Sequence, residues 1–109
     1  MVEDIYVKEI AKQGLLTKKG HKVKSMKERW FLLQPGKLSY YTSKSMKELK
    51  GVIILTKESK VENIADSKNT KCRFSVVCGE KKVSYELEAD SQRTKNEWMN
   101  AIQICIGKI

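Results

Sequence analysis

Along the chain, short runs of branched and aromatic residues recur at about ten-residue spacing, separated by clusters of Gly, Asn, Asp, Ser or Lys. This punctuation predicts strands over 14–18, 27–34, 37–42, 51–55, 60–64, 72–77 and 83–89. The connections Pro35-Gly36 and Gly79-Glu80-Lys81 are short enough for hairpins, so the first strands form an antiparallel meander. The period then changes. From Ser91 onward Trp98, Ala101, Ile102, Cys105 and Ile106 fall on one stripe of an α-helix, with Asp90 or Ser91 as N-cap and Gly107 as stop. A helix of about 15 residues is roughly 22 Å long and can cover one end of a small barrel, with Trp98 as its core anchor. The fold class is therefore mainly β, seven antiparallel strands and one C-terminal helix. Residues 1–12, where Ile5, Val7 and Ile10 fit neither period, read as an extension or linker ahead of a domain over 13–107.

The size fits that single core. A chain of 109 residues buries enough surface for one domain and not for two, which excludes a multidomain enzyme. No apolar run reaches the roughly 18 residues of a spanning helix, and the first dozen residues mix acids and bases, so neither a membrane span nor an export signal is expected. Cys72, Cys78 and Cys105 are odd in number and lack a CxxC, and His21 is the only histidine. That argues against a disulfide framework and a metal site, and for a reducing compartment such as the cytosol. No cofactor is implied. One histidine, no Gly-rich phosphate loop and no converging carboxylates leave no catalytic residue to name, so the expectation is a non-enzyme.

Charge adds the chemistry. The 22 Lys and Arg outnumber 13 Asp and Glu, and residues 1–50 hold 12 of the bases against 5 acids. Six bases (Lys18, Lys19, Lys22, Lys24, Lys27, Arg29) crowd residues 18–29 against Glu28 alone. Such a field attracts nucleic acid, an acidic protein or an anionic membrane. Residues two apart on a strand share a face, so Leu16 and Lys18 point one way, as do Arg29, Phe31 and Leu33, and Leu38 and Tyr40. Lys18 ends the first strand while Lys27 and Arg29 begin the second; the charges converge at the loop end of the hairpin. Arg29, on the core-facing parity, must sit at a rim and be answered by an acid or a ligand anion. Phosphates suit that geometry, because Arg offers a planar fork and Lys a mobile charge.

Other residues carry balanced readings. Lys19, Lys22 and Lys24 serve equally as a solvated face or as attraction to anionic lipid, and His21 beside Gly20 is a loop residue able to donate to a phosphate when protonated. Val23 and Met26 are candidate interface contacts. Glu28, of opposite parity to Arg29, faces solvent or a neighbouring lysine and is assigned no role. Cys72 and Cys78 read as small buried hydrophobes on one parity. Nucleic acid is disfavoured, because Trp30, Phe31, Phe74 and Trp98 lie in core patterns and leave no row of exposed aromatics for stacking.

The segment GLLTKKGHKVKSMKERWFLL, followed by LSYY, GVIIL and a helix with NEWMNAI, closely resembles the pleckstrin homology (PH) domain over about residues 12–107. The KQG opening, the KKGH loop and the ERWF run are most similar to the domain of the switch-associated Rac activators and to the second PH domain of pleckstrin. The resemblance implies a seven-stranded antiparallel β-sandwich or barrel, two near-orthogonal sheets closed at one end by the helix. It implies a phosphoinositide site in which Lys18 and the Lys27-Glu28-Arg29 triplet hold phosphates. Tyr40 and Lys50 match positions of members that prefer 3-phosphorylated lipids. The expected function is a membrane-targeting signalling module for phosphatidylinositol 3,4,5-trisphosphate or 3,4-bisphosphate, cytoplasmic and recruited to the inner leaflet of the plasma membrane. The alternative is an interaction module for a small GTPase, as in exchange-factor proteins, or for an acidic peptide.

Overall fold

A computed structural model describes residues 9–21 and 25–109, so the expectations for residues 1–8 and for Lys22, Val23 and Lys24 lie outside the described residues. The strands are β1 (Lys12–Lys19), β2 (Met26–Gln34), β3 (Lys37–Tyr41), β4 (Leu49–Ile54), β5 (Lys60–Asn63), β6 (Arg73–Cys78) and β7 (Val83–Glu88), followed by helix α1 (Gln92–Gly107). They form one antiparallel sheet in the order β4-β3-β2-β1-β7-β6-β5. The meander holds on both sides of a narrow junction: β1 pairs with β2 from Lys12↔Leu33 to Lys19↔Met26, but with β7 only at Thr17↔Glu88 and Lys18↔Leu87. That junction carries Lys18.

Alternation fills the interior. Leu16, Phe31, Leu33, Leu38, Ile53, Phe74, Val76 and Leu87 project from one face of their strands and are buried with Trp98 and Ile102 of α1. The Trp98 ring meets Phe31 edge-on at 6.5 Å between centroids, the anchoring contact expected of it. Ser91, in extended conformation, caps α1 by accepting from the Thr94 amide at 3.1 Å. Lys95 is also buried and pins the helix to the strand side by donating to the Ile64 carbonyl at 3.2 Å.

Several local expectations are corrected. Gly107 is the last helical residue, not a left-handed stop, and Lys108 caps the helix in right-handed geometry. Cys72 precedes β6 with φ 58° and is half-buried, so it shares no strand with buried Cys78. Trp30 is not in the core. It lies on the outer face between Leu15 and Tyr41, half-exposed, and donates through Nε1 to Gln13 Oε1 at 3.3 Å. The row Leu15, Trp30, Tyr41 and Leu49 runs across four strands on that face. β4 starts two residues earlier than the apolar run GVIIL, so Lys50 stands inside the strand, at an irregularity opposite Tyr40 and Tyr41.

Candidate functional site

The hairpin register sets the site. Lys18 opposes Lys27 and Leu16 opposes Arg29, so three cations gather where β1 and β2 open into their loop. Tyr40 lies beside Phe31 on the same inner face, and β4 brings Lys50 to the rim. The result is an open cavity of about 210 Å³ lined by Lys18, Gly20, Ser25, Lys27, Arg29, Tyr40 and Lys50. All five residues predicted for the primary site line it. Its lining holds four bases and no carboxylate.

Three of the four bases are held differently. Arg29 Nη1 donates to the neighbouring Glu28 carbonyl at 3.2 Å, and among the described residues no carboxylate pairs with its guanidinium. Lys50 meets Glu48 at 3.9 Å, a loose and exposed pair of little energetic weight. Lys18 is half-buried, its Nζ 5.2 Å from the centre of the Tyr40 ring and 5.8 Å from that of Tyr85. Burial, with the Arg29 charge second, pulls the Lys18 pKa below the usual lysine range. Tyr40 packs on Phe31 at 5.3 Å between centroids, and burial followed by Tyr85 raises its phenol pKa, keeping it a neutral donor. Gly51 stands opposite Tyr40; any Cβ there would overlap the phenol. Four cations so arranged repel one another until a multiply charged anion joins them, which is the chemistry of a phosphate cradle.

The secondary candidates disperse. His21 turns to β7, its Nε2 2.9 Å from the Ser84 carbonyl and its ring 5.1 Å from Tyr85. It lines a separate recess with Lys19, Gly20, Ser84 and Glu86, where Lys19 meets Glu86 at 3.9 Å. Met26 is half-buried opposite Lys19. Glu28 is exposed, as its parity requires. Among the described residues no cluster of His, Cys, Asp or Glu could hold a metal ion, and no helix is long and apolar enough to cross a membrane. Sequence reasoning missed Tyr85, Ser25 and the closeness of Gly51 to Tyr40. For Tyr85 a signal existed, since it shares parity with Leu87, but only the β1–β7 pairing brings it to Lys18.

Comparison with known proteins settles the family. The PH domain model matches residues 10–107. The chain belongs to the PH domain family. It is 42% identical over 99 residues to switch-associated protein 70 of Gallus gallus, covering 91% of this chain and 17% of that protein. With the Differentially expressed in FDCP 6 homolog of Xenopus laevis it shares 36% over 108 residues, covering 96% of this chain and 18% of that protein. The chain thus spans less than a fifth of these relatives' length. Among solved structures, the C-terminal PH domain of pleckstrin in complex with D-myo-Ins(1,2,3,4,5)P5 aligns with TM-score 0.77 and 31% identity, covering 89% of this chain and 98% of that one. This PH domain has seven antiparallel strands capped by one helix, as the alternation and the switch of period predict, and the family it belongs to is one of non-catalytic modules.

Proposed function

We propose that this PH domain binds the head group of a 3-phosphoinositide, phosphatidylinositol 3,4,5-trisphosphate or 3,4-bisphosphate, through Lys18, Lys27, Arg29, Tyr40 and Lys50, and so recruits its parent protein to the inner leaflet of the plasma membrane. The observation that carries the reading is the cavity lined by four bases and no carboxylate. It is supported by the complex of pleckstrin's C-terminal PH domain with D-myo-Ins(1,2,3,5,6)P5, in a chain 32% identical to this one. Arg29 supplies the planar fork, Lys18 and Lys27 flank it from paired positions on β1 and β2, and Tyr40 donates its phenol from the wall. Preference for a 3-phosphate rests on the match of Tyr40 and Lys50 to positions of PH domains that prefer 3-phosphorylated lipids; both residues line the cavity from the β3–β4 side.

Co-sedimentation with vesicles carrying each phosphoinositide in turn, at about 0.15 M salt, tests this. Selective pelleting with 3-phosphorylated lipids, lost in Lys18→Ala/Arg29→Ala, is the expected result; pelleting that tracks total lipid charge contradicts it. A second reading, a surface for a small GTPase or an acidic peptide, draws on the outer-face row Leu15, Trp30, Tyr41 and Leu49, whose two leucines are exposed and whose two aromatics are half-exposed. It predicts partner capture that survives the same double substitution.

A further inference from the structure

Lys18 occupies an unusual position for a phosphate ligand. It lies where β1, still paired to β2 through Lys27, also meets β7, and its register partner across that second junction is Leu87. Tyr85, two residues before Leu87, projects to the same inner face and is diagonal to Lys18, within reach of a long side chain. Tyr40 approaches from the opposite side, carried by β3. The ammonium is thus flanked by two rings, at 5.2 Å from Tyr40 and 5.8 Å from Tyr85, both inside the range in which a cation is drawn to a ring face. Its polar contact is a long hydrogen bond to the neighbouring Lys19 carbonyl at 3.4 Å, and repulsion among four cations in one small cavity opposes its inward position, so the rings add to a weak anchor.

We infer that Tyr85 is a positioning residue for the head-group site: with Tyr40 it clamps the Lys18 ammonium in place before ligand arrives, and Gly51 is the residue that makes room for the Tyr40 half of the clamp. The inference rests on the proposed head-group reading and extends it to two residues that do not line the cavity. Neither needs to touch a phosphate. Tyr85 acts through its ring face, and its own ring is braced by His21, which is tied to the Ser84 carbonyl at 2.9 Å. Gly51 acts by absence: a methyl group there would collide with the Tyr40 hydroxyl and with the ring carbon bearing it, so Tyr40 would rotate off Lys18. A lysine held in advance costs less to order on binding, and that saving appears as affinity.

The test uses calorimetric titration with inositol 1,3,4,5-tetrakisphosphate together with the proton resonances of the Lys18 side chain. In the wild type, rings on either side shift the Lys18 Hε resonances upfield, and Tyr85→Phe keeps both that shift and the affinity because it keeps the ring. Tyr85→Leu and Gly51→Ala are expected to lose much of the shift and to weaken binding by roughly three- to tenfold. Placed on Lys18→Ala, the Tyr85→Leu change should weaken binding no further, since the group it positions is gone. Unshifted Lys18 resonances in the wild type, or a Tyr85→Leu penalty that persists undiminished in Lys18→Ala, would overturn the inference. If Lys18→Ala weakens binding while Tyr85→Leu does not, the positioning role alone fails. Wild-type affinity in Lys18→Ala instead overturns the head-group reading and the inference with it.

Discussion

Arg29 and Arg73 are both partly buried in the same sheet, yet their surroundings are opposite. Arg73, the first residue of β6, donates from Nε to Glu88 Oε1 at 2.7 Å and from Nη1 to Glu86 Oε2 at 2.9 Å. The bond to Glu88, reinforced by Glu86, raises its pKa further above an already high value. Arg29 on β2 finds Lys18, Lys27 and Lys50 instead, and its one hydrogen bond among the described residues goes to a backbone carbonyl. The contrast extends outward: the larger groove beside β5 and β6 mixes Glu58, Glu62 and Glu80 with Lys60 and Lys82, whereas the cavity at the mouth of the β1–β2 hairpin is lined by four bases and no carboxylate. A cation supplied with its own carboxylates belongs to the scaffold. One set among other cations is completed only by an anion from outside.

The sharpest way to break this contrast is to remove each arginine in turn. Hydrogen bonds to charged groups contribute about 1.5 to 3 kcal/mol, so Arg29→Ala should lower head-group affinity tenfold or more in calorimetry and leave the thermal midpoint nearly unchanged. Arg73→Ala should do the reverse. It leaves Glu88 without its ion pair and Glu86 with only the loose Lys19 contact, and costs about 1 to 2 kcal/mol of stability, discounted for partial exposure, which differential scanning calorimetry reads as a midpoint several degrees lower at unaltered affinity. Loss of head-group binding in Arg73→Ala would erase the distinction.

Titration sharpens it further. The Lys18 pKa is lowered in the free domain, mainly by burial, and a bound anion restores it towards the usual lysine range. Binding therefore takes up protons at alkaline pH, and affinity should begin to fall as pH rises through the lowered Lys18 value. Lys18→Gln should remove that decline. The sign for the free fold is opposite: between the lowered value and the ordinary one the unfolded chain binds more protons, so the unliganded domain gains stability as pH rises there. Thermal midpoints across that alkaline window report the direction. The smallest effect belongs to Glu48, which competes for Lys50 at 3.9 Å. Glu48→Gln should tighten head-group binding by up to about threefold, because an exposed pair is worth under about 1 kcal/mol.

Much of this was legible in the residues alone. Parity put Lys18 beside Leu16 and Arg29 beside Phe31, and the structure has the same pairs on one face with the apolar members buried. What escaped depended on contacts distant in sequence. Trp30 carries the composition of a core residue, but its parity is that of Glu28, and strand register makes it an outer-face residue tied to Gln13. Tyr85 lies 67 positions from Lys18, and only the two-residue β1–β7 junction brings them together. The clash that a side chain at Gly51 would create with Tyr40 appears only once β3 and β4 are in register. Cys72 follows a similar logic: its left-handed backbone, with its amide held by Asp66 at 3.1 Å, breaks the strand that composition alone would extend.

The most direct test of the central contrast needs one sample. The Nε–H resonances of Arg29 and Arg73 can be followed by nuclear magnetic resonance while inositol 1,3,4,5-tetrakisphosphate is added at about 0.15 M salt. A saturable shift at Arg29 with Arg73 unmoved is the predicted result. An unmoved Arg29, or two arginines drifting together in proportion to added anion, would contradict the account.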